Sequence, residues 1–343
     1  MVVDDTMATP PLVHELVDRF VARLARTGKL FEHGFGDVAT LRSISAEVRD
    51  YTPERAVGRA EIEWHSEETR IFGVRVRSGS FFSPAARLLP PESRRAHVEM
   101  LLPERVRGVC VLLAATGEEG FARRRLFARH LLREGIGTVS LESPLYGLRR
   151  PHGQIGPRIR TVAEHFAMNL ATVDEGRALL VTLREEICPA VGVSGFSQGG
   201  IMGGFVAALS RFPLAVVLRG AGDCALPIFT RDAMTRIVDW NALAASAGSL
   251  HDARNLLAEA LAPVRVSRHA PPVFPRAAIL VYGRHDAFVV RHEAEALARY
   301  WKGCELREKP AGHVTQALFY RSAQARAVLD AFGRLRDHLG LAS

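Results

Sequence analysis

Short runs of apolar residues recur along the last two-thirds of the chain and alternate with stretches of helical periodicity. In these runs most positions are apolar and several of the others are Gly, Ser or Thr, whereas a strand with one exposed face alternates apolar and polar residues. Continuous runs are typical of parallel strands that helices cover on both faces. The pattern therefore predicts an α/β fold with a mostly parallel central sheet flanked by helices. The strands are expected at 108–115, 136–142, 190–194, 214–219 and 277–282, and the helices near 121–134, 161–186 and 198–211.

The N-terminal third of the chain has a different pattern. Apolar positions at helical spacing run from Leu12 to Leu30, where the glycines of HGFGD interrupt them. The turn-rich segments GSFFSP and LLPPES separate short alternating runs at 61–64, 71–77 and 97–101. We therefore expect residues 1–107 to form a helical segment followed by the first antiparallel strands of the sheet.

A long segment separates the strands expected at 214–219 and 277–282. Residues 224–276 are mostly helical in pattern and then end in the loop HAPPVFP. Such a segment is too long for an ordinary connection, so we interpret it as an inserted cap. The α/β core then comprises residues 108–223 and 277–343.

A serine lies between glycines where the expected strand at 190–194 gives way to a helix. Residues 195–199 read GFSQG, which matches the G-x-S-x-G pattern of a nucleophile elbow. Small residues flank the serine because the tight turn leaves no room for larger side chains, and the turn raises the hydroxyl of Ser197 out of the backbone. The alternative is a glycine-rich turn in which Ser197 only caps the helix.

A serine hydroxyl becomes a useful nucleophile when a base accepts its proton, and an acid orients that base. In a chain with this elbow the order is serine, acid, histidine. Asp286 follows an expected strand, and His313 lies between a short strand at 304–308 and the final helix. Both positions fall where strands end, at the edge where such sheets build their sites.

Two other residues compete for these roles. Asp223 follows the strand expected at 214–219, so it is a second acid that could reach the histidine. His285 adjoins Asp286 but lies in the loop of the acid itself, with no acid on a later strand end. Asp286 could also be a loop residue that caps the next helix.

Acyl transfer also needs backbone N–H groups that stabilise an oxyanion. One donor is expected at Gln198, at the start of the helix after the nucleophile, where the helix dipole favours negative charge. The other should come from the loop after the first long strand, with Gly117 and Glu118 as candidates. Gly117 permits the required turn, although it could be an ordinary loop glycine.

Composition and charge narrow the function classes. The chain has 343 residues, 48% of them hydrophobic, which is enough apolar material for a large core. The net charge of +8 comes from scattered arginines rather than a basic tract with interleaved aromatics. We therefore expect no nucleic-acid partner, whereas peripheral contact with an anionic membrane stays open.

Neither a metal nor a cofactor is expected. The four cysteines are widely spaced, and the motif lookalikes are incomplete: Asp18 replaces the second histidine of HExxH after His14, and the glycines of 34–36 follow a helix. Acidic residues near the N-terminus and the lack of a long apolar stretch favour a cytoplasmic protein without a transmembrane segment.

Several longer strings make the chain resemble the alpha/beta hydrolase domain-containing protein 18 family. The matching strings are TGEEGFARRR at 116–125, ESPLYGLRRP at 142–151, SGFSQGG at 194–200, HDAFVVR at 285–291 and GCELREKPAGHV at 303–314. Strings of this length in the same order are far more specific than G-x-S-x-G. One departure is the oxyanion loop, where Ala-Thr-Gly-Glu-Glu at 115–119 replaces the usual GTGDH.

The resemblance implies an α/β-hydrolase fold with Ser197 as nucleophile, Asp286 as acid and His313 as base, and it disfavours Asp223. It also implies a lipid-type acyl ester as substrate. The segment ESPLYGLRRP should lie beside the elbow, so we expect the substrate-binding residues to include Thr116, Glu142, Tyr146 and Arg149, with Arg150 near them. A structural salt bridge and a packed tyrosine are the alternative for this segment.

The sequence thus predicts a cofactor-free serine hydrolase that cleaves carboxylic esters, of a small molecule or a lipid, through an acyl-enzyme. Acyl transfer to another acceptor and peptide cleavage use the same residues, and a non-catalytic binding protein could keep the same fold. The complete set of serine, acid and histidine argues against the last alternative.

Overall fold

One ten-stranded sheet organises the residues that the structure, a computed structural model, describes: 11–24, 29–55, 57–65, 69–71, 73–230 and 233–341. The strand order is β1-β3-β4-β6-β5-β7-β8-β9-β10, with β2 paired to β3. The strands are β1 (Glu63–Trp64), β2 (Thr69–Ile71), β3 (Val74–Phe82), β4 (Arg95–Leu102), β5 (Gly108–Leu113), β6 (Ile136–Leu141), β7 (Val191–Phe196), β8 (Ala215–Arg219), β9 (Ala278–Gly283) and β10 (Glu305–Lys309).

The α-helices of the described residues cover this sheet and form the insertion. They are α1 (Pro11–Leu24), α2 (Val38–Arg49), α3 (Ala122–Leu132), α4 (Val162–Glu186), α5 (Gln198–Ala208), α6 (Leu226–Thr230), α7 (Trp240–Ala247), α8 (Leu250–Leu261), α9 (Arg291–Tyr300), α10 (His313–Phe319) and α11 (Arg321–His338).

The central strands are buried along their whole length. Every residue of β5, β6, β8 and β9 is buried, and these strands, with β7 and β10, pair in parallel. The helix pair α3 and α11 packs on the sheet, as does the pair α4 and α5. The predicted class, a mostly parallel sheet flanked by helices, is confirmed, and the predicted boundaries of the parallel strands differ from the observed ones by at most two residues.

The N-terminal third departs from the prediction in two places. Strand β3 continues through Phe82 and pairs antiparallel with β4, so the residues GSFF of the expected turn belong to a strand. Helix α2 was not predicted; it begins after Asp37, whose carboxylate accepts hydrogen bonds from the N–H groups of Ala39 and Thr40. Its buried Leu41 and Ile44 face the body of the protein, and α2 packs on α4 and α8.

The segment between β8 and β9 is largely helical. It contains α6, α7 and α8, of which α7 and α8 pack together and α8 also contacts α2. Buried Leu243, Leu257 and Leu261 join the apolar core. The structure thus contains helices where the cap is expected, while the unit boundaries at 107, 223 and 276 stay predictions.

Candidate active site

Ser197 lies at a strained turn between β7 and α5. Its backbone has φ 55° and ψ −119°, a conformation that L-residues rarely adopt, and its side chain makes no capping hydrogen bond to α5. A Cβ on Gly195 would lie 2.1 Å from the carbonyl oxygen of Gly199, so the turn requires a glycine there. The local sequence therefore forces the hydroxyl away from the helix, and the simple capping role is excluded.

The side chain of His313 lies between Ser197 and Asp286. The Nε2 atom of His313 is 3.0 Å from the Oγ of Ser197, and its Nδ1 atom is 2.7 Å from the Oδ2 of Asp286. The rings of Phe196 and Phe288 lie 4.8 and 5.0 Å from the imidazole, centroid to centroid. The three residues predicted from the sequence are thus brought together in one hydrogen-bonded chain.

Asp286 is held in place by hydrogen bonds from its own loop. Its Oδ1 atom accepts the N–H groups of Phe288 and Val289, each at 2.8 Å, and its Oδ2 atom accepts the Nε2 amide of Gln316 at 3.1 Å. The same Oδ2 atom lies 2.7 Å from the Nδ1 of His313. These donors fix the carboxylate so that it can orient the imidazole.

The two rival residues lie elsewhere. The carboxylate of Asp223 accepts hydrogen bonds from the guanidinium of Arg265 at 2.7 Å and from the N–H and hydroxyl of Ser267 at 2.7 and 2.8 Å. The ring of His285 stacks on the ring of His14 at 5.8 Å. Neither residue is part of the chain formed by serine, histidine and aspartate.

The electrostatics of His313 suit a general base. Burial lowers the pKa of the imidazole, but the charge and hydrogen bond of Asp286, together with the charge of Asp18, outweigh that effect and raise the pKa above its usual value. The imidazolium that forms when His313 accepts a proton is therefore stabilised.

Two N–H groups of the loop at 115–119 after β5, those of Thr116 and Glu119, have no hydrogen-bond partner among the described residues, and of these two residues only Thr116 lines the cavity beside Ser197. The N–H of Gly117 donates to the hydroxyl of Tyr146 at 3.3 Å, and the N–H of Glu118 donates to the carbonyl of Ala115 at 3.1 Å. Both N–H groups expected to act as donors are thus occupied.

A buried ion pair braces this loop. Glu118 accepts the Ala115 N–H at 3.1 Å with one carboxylate oxygen and the Nε of Arg124 at 3.0 Å with the other. The guanidinium of Arg124 also donates to backbone carbonyls, including those of Leu112 and Gly120. Sequence reasoning missed this function of Arg124, because a buried and an exposed arginine look alike within a helix.

The residues of ESPLYGLRRP have mainly structural contacts. Glu142 is buried, which raises its pKa, and it accepts the Gly120 N–H at 3.0 Å. Tyr146 lines the cavity, and burial raises its pKa to about 12. Arg150 forms an ion pair with Glu119.

Arg149 is fully buried and lies outside the cavity. Its guanidinium contacts both carboxylate oxygens of Glu175, at 2.7 and 2.6 Å, and the carbonyls of Ser93 and Glu142. Because these contacts engage all the nitrogens of the guanidinium, Arg149 has no donor to offer an anionic substrate, and we do not keep it among the substrate-binding residues.

A cavity of about 610 Å³ opens beside Ser197 and His313. Its walls are mostly apolar and include one face of α4, one face of α5, part of the segment between β8 and β9, and part of α10. Along α5 the wall runs from Gln198 to Leu209, which is roughly 17 Å at the rise of an α-helix. Other apolar residues of the wall are Phe166, Leu170, Val173, Met202, Phe205 and Leu261.

A short polar row interrupts this apolar wall. The Nε2 amide of Gln198 donates to the Oδ1 of Asn169 at 2.6 Å, and the Nδ2 of Asn169 lies 3.1 Å from the Nε2 of His165. Burial lowers the pKa of His165 to about 4, so the ring is neutral at pH 7. Nothing in the sequence singled out Asn169 or His165, because the three residues meet only across two helices.

No helix in the described ranges is both long and apolar enough to cross a membrane.

Solved structures with a similar fold include esterases. An acetyl xylan esterase from Paenibacillus sp. R4 matches 90% of this chain and 98% of its own, with 14% sequence identity and a TM-score of 0.57. Acetyl xylan esterase 1 from Thermoanaerobacterium sp. JW/SL YS485 matches 90% and 98%, with 12% identity and a TM-score of 0.53. At such low identities these likenesses show the fold alone.

The family comparison covers nearly the whole chain. A statistical model of the family described as alpha/beta hydrolase domain containing 18 matches residues 28–253 and 246–334. These two ranges contain Ser197, Asp286, His313 and the segment between β8 and β9. The chain therefore belongs to the alpha/beta hydrolase domain containing 18 family and has the α/β-hydrolase fold.

Proposed function

We propose that this protein is a serine hydrolase that cleaves carboxylic esters through an acyl-enzyme. The observation that carries the proposal is the hydrogen-bonded chain from Ser197 through His313 to Asp286, with distances of 3.0 and 2.7 Å. The imidazole of His313 activates the hydroxyl of Ser197 by accepting its proton, and the carboxylate of Asp286 stabilises the imidazolium that forms. A strained serine whose side chain does not cap its own helix fits the same role.

In the first half-reaction, the Oγ of Ser197 attacks the ester carbonyl while the Nε2 of His313 accepts the hydroxyl proton. A tetrahedral intermediate forms, and His313 returns the proton to the leaving alcohol as the carbon–oxygen bond breaks. Water then attacks the acyl-enzyme in the same way, with His313 as base, and the carboxylic acid leaves. Asp286 orients the imidazole throughout.

Two backbone N–H groups can stabilise the oxyanion. The N–H of Gln198 lies in the first turn of α5, where helix amides lack intrahelical partners. The second donor in our proposal is the N–H of Thr116, because those of Gly117 and Glu118 already bond within the protein. The side chains of Glu118 and Arg124 hold this loop before substrate arrives, which is the preorganisation that such stabilisation requires.

The cavity supports an apolar acyl group as the part of the substrate next to Ser197. Its volume of about 610 Å³ is typical of sites that enclose a ligand, and its walls are mainly Leu, Val, Ile, Met and Phe side chains. Burying methylene groups there is favourable by about 0.8 kcal/mol each. We therefore propose a lipid-type acyl ester, and the polar row from Gln198 to His165 can bind a polar atom of the substrate.

The cellular setting in this proposal is a reducing compartment such as the cytoplasm. Cys110, Cys188, Cys224 and Cys304 are free thiols, and the first three are buried. Burial raises the pKa of the Cys110 thiol to about 12, so it is a packing residue rather than a nucleophile.

The experiment that tests the proposed reaction follows p-nitrophenyl esters of graded acyl chain length in water enriched in ¹⁸O. Hydrolysis predicts that the wild type releases a carboxylic acid carrying one ¹⁸O atom and that Ser197→Ala does not. Acyl transfer would instead give a new ester or amide when an alcohol or amine is added, without labelled acid. Failure of the folded wild type to turn over any ester would favour a binding protein.

A further inference from the structure

Asp18 is a buried carboxylate that the proposed reaction does not use. It lies on the N-terminal helix α1, 295 residues before His313, and its exposed fraction is 0%. Helix α1 packs on α10, the helix that His313 begins. A carboxylate this deeply buried is costly unless it is hydrogen-bonded, so its partners explain its presence.

The partners of Asp18 come from both loops that carry the acid and the base. Its Oδ2 atom accepts the N–H of His313 at 2.7 Å and the N–H of Ala287, the residue after Asp286, at 3.1 Å. Its Oδ1 atom accepts the N–H of Val314 at 2.8 Å. A single carboxylate oxygen thus joins the two loops.

Helix α10 needs this partner because its own cap has no side chain. Gly312 precedes the helix, and a Cβ there would lie 2.8 Å from the Oδ2 of Asp18 and 2.9 Å from the backbone carbonyl of His14. Glycine therefore makes room for α1, and Asp18 supplies the acceptor for the first amides of α10 that an N-cap side chain would otherwise supply. His14 adds a contact of 2.9 Å to the Oγ1 of Thr315.

We propose that Asp18 is a positioning residue of the active site: it ties the Asp286 loop to the first residue of α10 and so fixes the distance and angle between His313 and Ser197. This inference rests on the proposed function. Asp18 contacts no reacting atom and acts through the backbone of His313 and Ala287.

The charge of Asp18 also reaches the imidazole. The charged groups that act on His313 are Asp286, which contacts it directly, and Asp18 behind its backbone, and both raise the pKa of the imidazole. Burial raises the pKa of Asp18 itself, and the N–H groups of Val314, His313 and Ala287 oppose that effect by favouring the carboxylate. Loss of this charge should lower the pKa of His313, which a purely structural role would not do.

The test compares Asp18→Asn with Glu15→Gln. Each removes one carboxylate from α1, but the side chain of Glu15 is about half exposed and forms an ion pair with Arg19 at 2.5 Å. With p-nitrophenyl butyrate as the probe, Asp18→Asn should lower kcat/KM by about tenfold or more, mainly in kcat, because misplacement of catalytic groups is costly. The acid limb of its pH profile should move to lower pH. Glu15→Gln should match the wild type in both respects.

A second variant guards against misfolding of Asp18→Asn. Gly312→Ala keeps every carboxylate, but its added methyl group pushes α1 away from α10. It should therefore lower kcat, and it should move the acid limb less than Asp18→Asn does. The inference would be overturned if Asp18→Asn and Glu15→Gln had the same kcat and the same acid limb. If Asp18→Asn does not fold, full activity of Gly312→Ala would overturn it. If the wild type neither turns over the ester nor reacts with a fluorophosphonate, the proposed function itself has failed.

Discussion

The Nε2 of His313 lies 3.0 Å from the Oγ of Ser197, although 116 residues separate them in the chain. The fold brings them together because β7 ends at the elbow and β10, three places along the same parallel sheet, leads directly to His313. The carboxyl ends of parallel strands meet at one edge, so residues distant in sequence share that edge. The chemistry we propose depends on this meeting.

Replacing Asp286 should lower both kcat and the pKa of His313. Asp286→Asn removes the charge and leaves an amide beside His313, so we expect kcat to fall by roughly 10³–10⁴-fold. The base must be neutral to accept a proton, so kcat/KM rises with pH through the His313 pKa, which lies above the ordinary value in the wild type. In the variant this acid limb should move to lower pH, which a pH profile of residual ester cleavage measures.

Asp223→Asn is the matched control for that prediction. Asp223 also follows a strand of the parallel sheet but bonds to Arg265 and Ser267 instead of the imidazole. We expect its kcat/KM to stay within about threefold of the wild type and its acid limb to stay in place. Loss of activity in a folded Asp223→Asn, with Asp286→Asn still active, would reverse the assignment of the acid.

Filling the cavity should shorten the preferred acyl chain. Val173 lies on α4 and lines the wall beyond Leu170, one helical turn further along the same face. Val173→Phe should lower kcat/KM for dodecanoyl esters by about tenfold or more while acetyl esters react as before, since each lost methylene contact is worth about 0.8 kcal/mol. The ratio of the two rates measures the effect within one protein; an unchanged ratio would show that the acyl chain does not occupy this cavity.

The ion pair between Arg149 and Glu175 should be essential for stability. Both side chains are fully buried, and removing one partner leaves an uncompensated charge. We expect Glu175→Ala to lower the free energy of unfolding by about 3–5 kcal/mol in urea denaturation. Glu186→Ala, which removes an exposed partner of Arg59, should cost less than about 1 kcal/mol. Similar costs for the two variants would contradict this account.

The fold was predictable from the sequence where burial is uniform. Strands β5, β8 and β9 are apolar at nearly every position, and β6 and β7 contain only apolar residues and small residues such as Gly, Ser and Thr, so none of the five shows the alternation of a half-exposed strand. Strand β3 was only partly predicted, because Gly79 and Ser80 are typical of turns and enter the strand through pairing with β4. Helix α2 has apolar residues at helical spacing, at 38, 41, 44 and 48, but it is short, and it depends on the cap supplied by Asp37 and on packing against α4.

The candidate site was predictable where a motif fixes the chemistry. Ser197 and His313 follow from the elbow and the order of residues, whereas the order alone left Asp223 as a rival to Asp286 and the family resemblance favoured Asp286. Which N–H groups of the loop at 115–119 stay free could not be predicted, because this depends on the distant hydroxyl of Tyr146. Asp18 gave no sequence signal of its function either, since its partners are backbone groups 269 to 296 residues away.

The most direct test of the proposed mechanism is intact-mass analysis after treatment with a fluorophosphonate, followed by peptide mapping. An activated serine predicts one adduct, located on Ser197 and absent from Ser197→Ala. An adduct elsewhere, or no adduct on folded wild-type protein, would contradict the assignment of Ser197 as the nucleophile.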